Sequence, residues 1–265
     1  MDIGIFIGVG VALGSVILGN VLEGGHLGSL VGGPAALIVL GGTIGAVIIQ
    51  FPLPLCSAAV KQALALVKRV KPDTNKVLDE IVDYAQRARK DGILGLEKVA
   101  SSASDPFLSK GILMAVDGSD SNVIQSSLEI IISQEEEHTE SSAKVFEAAG
   151  GYAPTVGIIG AVLGLIHVMS NLSDINAVGS GIAAAFVATI YGVAAANIFF
   201  LPLAGRIKMT HQDETRVKEL MLAGVLAIQE GLNPKLVRER LSGYVEAHGK
   251  EKGGAASPQE AKSLA

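Results

Sequence analysis

Thr155, Thr189, Tyr191 and His167 are the polar side chains available to line a water path through the apolar part of this chain. Each also has a passive use: a buried threonine bonds back to its own helix, and a lone histidine finds one partner and stays neutral. What the apolar stretches lack says more. Four of them, Ile3 to Leu22, Gly24 to Val60, Ala148 to Ser173 and Ile175 to Gly205, hold no Asp, Glu, Lys or Arg. Proton relays inside membranes depend on an ionisable side chain, so a proton path built here needs a carboxylate from another chain.

Other residues could shape such a path. Pro154 and Pro202 fall near the ends of the third and fourth apolar stretches, where a proline frees a backbone carbonyl and kinks the rod. A static kink and a hinge are both open at this point. Gly4 with Gly8, Gly41 with Gly45, and Gly160 with Gly164 give small-xxx-small spacings, which let helix backbones approach closely. Packing within one subunit and packing around a partner helix are equally compatible with them.

Outside these stretches, Arg89-Lys90-Asp91 and Glu97 bracket a helix-turn-helix. Such charges suit an ordinary solvated surface or an electrostatic docking face that steers and registers a charged partner. His138 beside Glu135, Glu136 and Glu137 reads as a solvated helix face, and no metal site is expected. No Ser/His/Asp set, metal-spaced cluster or phosphate loop is present, so no catalytic residue is assigned and no cofactor is expected. Cys56 cannot form an internal disulfide. No basic patch with interleaved aromatics occurs, which argues against a nucleic-acid partner.

The elements that must carry these residues follow from charge placement. Only 18% of the 265 residues are charged, and mean hydropathy is +0.46, against about a quarter charged in soluble domains. Each charge-free stretch can supply the roughly 20 residues a membrane-crossing helix needs; spans are expected near 3–22, 29–51, 152–172 and 179–202. All 21 Lys and Arg lie between Lys61 and Lys144 or from Arg206 onward. The positive-inside rule therefore sets both hairpin tips, near Glu23 and Asp174, in the periplasm and both termini in the cytoplasm. The start, Met-Asp-Ile, lacks the basic region of a cleaved signal peptide, so the first span is expected to be retained.

Between the hairpins the periodicity is helical. Asp73 and the Leu78, Ile81, Val82, Ala85 spacing predict a helix ending near Lys90, with a turn at Gly92. Asp105-Pro106 opens another helix and Asp117-Gly118 closes it. A long helix is expected from about Ser119 into the third span, and a further one beyond Arg206 as far as Gly231. The expected fold is all-α: a polytopic membrane protein with four transmembrane helices and a helical cytoplasmic insertion. Its segments are 1–51 (hairpin), 52–150 (cytoplasmic helical region), 151–204 (second hairpin), 205–247 (cytoplasmic helix) and 248–265, a Gly/Ala/Ser/Lys-rich tail expected to be disordered.

Several segments taken in order resemble the A subunit of the flagellar stator, the MotA and PomA family. They are Gly32-Gly-Pro-Ala-Ala-Leu-Ile-Val-Leu-Gly-Gly-Thr43, Ala88-Arg-Lys-Asp-Gly-Ile-Leu-Gly-Leu-Glu97, Tyr152-Ala-Pro-Thr-Val-Gly-Ile-Ile-Gly-Ala-Val-Leu-Gly-Leu-Ile-His167 and Ala185-Phe-Val-Ala-Thr-Ile-Tyr-Gly-Val-Ala-Ala-Ala-Asn197 running to Arg206. The likeness covers nearly the whole chain and is similar to the MotC-type stators of proteobacteria. It implies about five A subunits in the bilayer around a dimer of a MotB-like B subunit, whose single membrane helix carries an essential aspartate, with the rotor protein FliG as the cytoplasmic partner. By position, Arg89, Lys90 and Glu97 match rotor-facing charges. Pro154 and Pro202 match prolines that couple ion flow to motion, while Thr155 and Tyr191 stand as path candidates on their side chains alone. Thr189 matches a pore threonine. Sodium-driven relatives carry a second threonine where Ala161 stands, which implies proton drive. An ExbB- or TolQ-type energy-transducing subunit is the alternative, but those proteins have one helix before the insertion and this chain has two.

Overall fold

A computed structural model describes residues 3–68, 73–170 and 172–252, and no strand occurs among them. α1 (Ile3–Leu22) is a 20-residue apolar helix, followed by a 3-10 turn at Leu27–Leu30. α2 (Gly33–Ala36), a π-helical turn at Leu37–Gly41 and α3 (Gly42–Gln50) then form one continuous rod. α4 (Leu53–Lys68) had no counterpart in the sequence reading.

α5 (Thr74–Asp91) is capped by Asp73, whose carboxylate accepts from the amides of Asn75 and Lys76, the satisfaction of orphan donors expected of a short acidic cap. It ends at Gly92, whose φ of 79° is the left-handed conformation that favours glycine. A 3-10 turn at Ile93–Leu96 leads into α6 (Glu97–Ala100) and α7 (Pro106–Val116), the latter capped by Asp105 on the Phe107 amide with proline in its first turn.

α8 (Ser121–Ser170) is a single 50-residue helix containing Pro154, so the expected continuation into the third span is realised. α9 (Ile175–Ala194), a π-helical segment at Ala195–Phe200 and α10 (Leu201–Gln229) are likewise continuous. α11 (Pro234–Lys252) follows a break at Gly231. It runs through residues 248–252, which the sequence reading had placed in the tail; residues 253–265 lie outside the described residues. Among the described residues, four helices are long and apolar enough to cross a membrane, at Gly4–Leu22, Leu27–Gln50, and within Ser121–Ser170 and Val178–Gln229.

The chain divides into two compact units, Met1–Val70 with Glu137–Thr210, and Lys71–Glu136 with His211–Ala265. The first is built on a seam of small residues between α8 and α9. A Cβ added at Gly157 would lie 3.0 Å from the Ala188 carbonyl, one at Gly160 2.8 Å from the Ala188 Cβ, and one at Gly164 3.0 Å from the Ala185 Cβ. Here the Gly160/Gly164 spacing is an intramolecular packing device. A side chain at Gly8, Gly41 or Gly45 would meet no other atom within 4 Å, so those faces are open.

The second unit has a conventional core in which Ile81, Leu96, Leu108, Ile112, Leu128, Leu220 and Val225 are fully buried. α5 and α11 pack side by side within it, and an Arg238–Asp79 ion pair at 2.7 Å closes their exposed edge.

Candidate functional site

The residues expected along the ion path all lie in the first unit. Thr155 is exposed on α8, and its hydroxyl donates to the Tyr152 carbonyl at 2.8 Å. Thr189 is half-buried on α9 and donates to the Ala185 carbonyl at 3.3 Å. Both show the local back-bonding expected of threonine in an apolar helix, and the long bond at Thr189 is the weaker hold. Ala161 is half-buried and His167 exposed, both on α8.

The two prolines are accommodated differently. Pro202 would break the α9–α10 rod, because it offers no N–H to the carbonyl four residues back. The π-helical segment Ala195–Phe200 immediately precedes it and absorbs the mismatch. Asn197 assists by donating its side-chain amide to the Val193 carbonyl at 2.9 Å. The fourth apolar span, expected near 179–202, therefore runs without a break into a helix that reaches Gln229, where a separate helix beyond Arg206 was expected.

Pro154 sits inside unbroken α8 at the tightest crossing of the seam. A Cβ on Gly192 would stand 2.5 Å from the Ala153 carbonyl and 3.1 Å from the Pro154 Cα. One turn away, a Cβ on Gly150 would strike Leu201 at 2.6 Å. Pro154 thus packs against Gly192, and one turn earlier Gly150 packs against Leu201, the residue before Pro202. Pro202, Asn197 and Arg206 also face Gly4, Gly8 and Ala12 of α1 across a cavity of about 460 Å³.

Tyr191 does not present a free hydroxyl to a water path. Its Oη donates to the Leu30 carbonyl at 2.7 Å and accepts from the Gly32 amide at 3.1 Å.

Arg89, Lys90 and Glu97 lie in the second unit, and all three are exposed. Arg89 and Lys90 occupy the last turn of α5, where cations favour the helix dipole, and Glu97 the first turn of α6, where an anion does. Glu80 of α5 ties that helix to the loop between α6 and α7. Its carboxylate accepts from Tyr84 Oη at 2.7 Å, from the Ser104 amide at 3.0 Å and from the Ser104 hydroxyl. Burial raises the Glu80 pKa, but the hydrogen bonds from the Ser104 hydroxyl, the Tyr84 hydroxyl and the Ser104 amide outweigh it and hold the carboxyl below its ordinary value. Burial, then the bond to Glu80 and its charge, raise the Tyr84 phenol. Glu80, Ser104 and Asn197 were not singled out from sequence. Asn197 was legible as a lone amide in an apolar run, whereas the Glu80–Ser104 pairing spans 24 residues and leaves no local signal.

The chain is a helical membrane protein in which two apolar hairpins flank a charged helical segment, with a small-residue seam and no Asp, Glu, Lys or Arg in its expected spans. The comparisons with known proteins narrow this class. Residues 6–92 match the family described as "Motility protein A N-terminal", and residues 99–220 the "MotA/TolQ/ExbB proton channel family". The chain is 34% identical over 252 residues to Motility protein A of Bacillus subtilis (strain 168), covering 93% of this chain and 92% of that one. It is also 34% identical over 245 residues to Chemotaxis protein PomA of Vibrio alginolyticus, covering 92% and 96%. Among solved structures it is similar to a chain of C. jejuni MotAB, with a TM-score of 0.88 at 29% identity over 92% of this chain and 96% of that one. The flagellar MotAB stator complex from Bacillus subtilis gives 0.86 at 33% identity over 94% and 98%. The chain belongs to the MotA/TolQ/ExbB proton channel family, on its motility-protein branch, and is a multi-pass flagellar stator subunit, not an enzyme.

Proposed function

We propose that this subunit forms, with a MotB-like B subunit, a proton channel whose ion flow is converted into torque on the flagellar rotor. The observation that carries the reading is the pairing of charge-free spans with an open small-residue surface. The spans can enclose a path but not carry a proton along it, and the glycine faces at Gly41 and Gly45 admit close helix neighbours. An aspartate on the single membrane helix of the B subunit supplies the missing carboxylate. About five copies of this chain surround a B dimer in the bacterial inner membrane, with both termini in the cytoplasm. Thr155, Ala161 and Thr189 line the path, Pro154 and Pro202 flex with ion passage, and Arg89, Lys90 and Glu97 press on charges of FliG.

The close fit of Gly150 on Leu201, and of Pro154 on Gly192, supports a coupled joint: a shift of one helix is felt by the other. Ala161 in place of a threonine favours protons over sodium. The match of residues 6–92 to the motility-protein N-terminal family disfavours the ExbB or TolQ alternative. The test is motility with this chain as the sole A subunit. Thr189→Ala is expected to reduce swimming more than His167→Ala, and swimming is expected to persist in sodium-free medium with a sodium-channel blocker. Equal effects of the two substitutions would remove the pore assignment, and arrest without sodium would overturn proton drive.

A further inference from the structure

Between the 3-10 turn Leu27–Leu30 and the first residue of α2 the backbone is extended, with Val31 at φ −99°, ψ 107° and Gly32 at φ −130°, ψ 99°. An extended link at the start of an apolar span leaves peptide groups without helical partners, and such groups are costly where water is absent. Tyr191, 161 residues away from Leu30, satisfies two of them with one hydroxyl, donating to Leu30 and accepting from Gly32. Its ring packs on Ala35, Val39, Val187 and Ala188, and a Cβ on Gly32 would come within 3.1 Å of Val187. The link and α9 are therefore held in one register.

α9 cannot turn about its own axis without breaking both bonds. Thr189 stands two residues before Tyr191, about 200° around a helix with 3.6 residues per turn. Fixing Tyr191 toward the Leu30–Gly32 link aims Thr189 away from it. We propose that Tyr191 is a positioning residue, a rotational key through which the start of the second span sets the direction in which Thr189 faces the ion path. The inference rests on the reading of Thr189 given above. Tyr191 itself carries no ion; it acts through Thr189.

The experiment is a double-mutant cycle in the complete stator, with Tyr191→Phe, Thr189→Ala and the pair read as torque of single tethered motors, normalised to membrane-inserted protein. Phenylalanine keeps the ring packing and removes both hydrogen bonds. Tyr191→Phe is expected to lower torque roughly three- to tenfold, the scale of one net hydrogen bond, and to add nothing further to Thr189→Ala. Full torque in Tyr191→Phe beside a weakened Thr189→Ala overturns the key alone. Losses that multiply in the pair also overturn it, since a purely structural role acts independently of Thr189. Full torque in Thr189→Ala removes the pore reading and the key with it. If Tyr191→Phe does not accumulate in the membrane, hydrogen exchange of the unsubstituted stator in nanodiscs decides. Protection of the Gly32 amide matching that of α3 supports the clamp, and exchange as fast as at Gly24–Gly25 overturns it.

Discussion

The two compact units solve the problem of burial in opposite ways. The unit formed by Lys71–Glu136 and His211–Ala265 fills its interior with Ile81, Leu96, Leu108, Ile112, Leu128 and Leu220 and turns its charges outward. The unit formed by Met1–Val70 and Glu137–Thr210 packs close to backbone contact through Gly157, Gly164 and Gly192, with Gly160 against the Ala188 methyl. It leaves apolar side chains outside, with Val31 at 78% and Ile49 at 89% exposure, and none of the most apolar window of α1 is buried. The first arrangement is what the hydrophobic effect builds in water. The second is what remains when lipid is as apolar as leucine and close approach, not burial, holds helices together. One unit buries its apolar side chains within the chain; the other leaves apolar surface of the kind lipid covers.

The contrast can be broken at the seam. Gly192→Val places carbon about 2.5 Å from the Ala153 carbonyl, a distance no relaxation of a flexible side chain relieves, and is expected to abolish swimming in soft agar; near-normal swim rings would end the seam account. In the other unit Leu108→Ala is expected to cost about 2–5 kcal/mol, the range for a buried leucine, read as a lower thermal midpoint by circular dichroism. A loss below about 1 kcal/mol would mean that this core collapses around the gap.

Smaller effects sharpen the comparison. Gly45→Ala meets nothing within the chain, so the isolated subunit should tolerate it. Unchanged thermal stability of the isolated subunit combined with reduced swimming would locate a neighbouring helix on that face. Arg89→Glu with Glu97→Arg exposes new charge without disturbing packing and should impair rotation while leaving membrane levels intact; normal swimming would remove the docking role.

Glu80→Gln should have the smallest effect, on the order of 1 kcal/mol, with a definite pH signature. Because the folded carboxyl sits below its ordinary value, its stabilisation is present above the unfolded-state pKa and disappears as pH falls through the folded one. Thermal midpoints of wild type and variant are therefore expected to differ at neutral pH and to converge in acid. A constant gap across that range would show that the Ser104 and Tyr84 bonds do not depend on the charge.

The sequence by itself determined the elements whose signals are local. Charge-free runs mark the apolar helices because a charged side chain is expensive in hydrocarbon. Asp73, Asp105-Pro106, Gly92 and Gly118 mark helix ends because caps and left-handed turns need those residue types. Arg89, Lys90 and Glu97 were readable as exposed charges at a turn. What failed to be legible was relational. Pro202 was legible as a kink, but local sequence cannot reveal that a π turn at Ala195–Phe200 carries one helix past it to Gln229. Gly160 and Gly41 carry the same spacing signal, yet only tertiary packing decided that one is filled by α9 and the other left open. Tyr191 reads from sequence as a side chain available to line a water path, and only the fold brings it to the Leu30 and Gly32 backbone, 161 and 159 residues away, where its hydroxyl satisfies two peptide groups of an extended link.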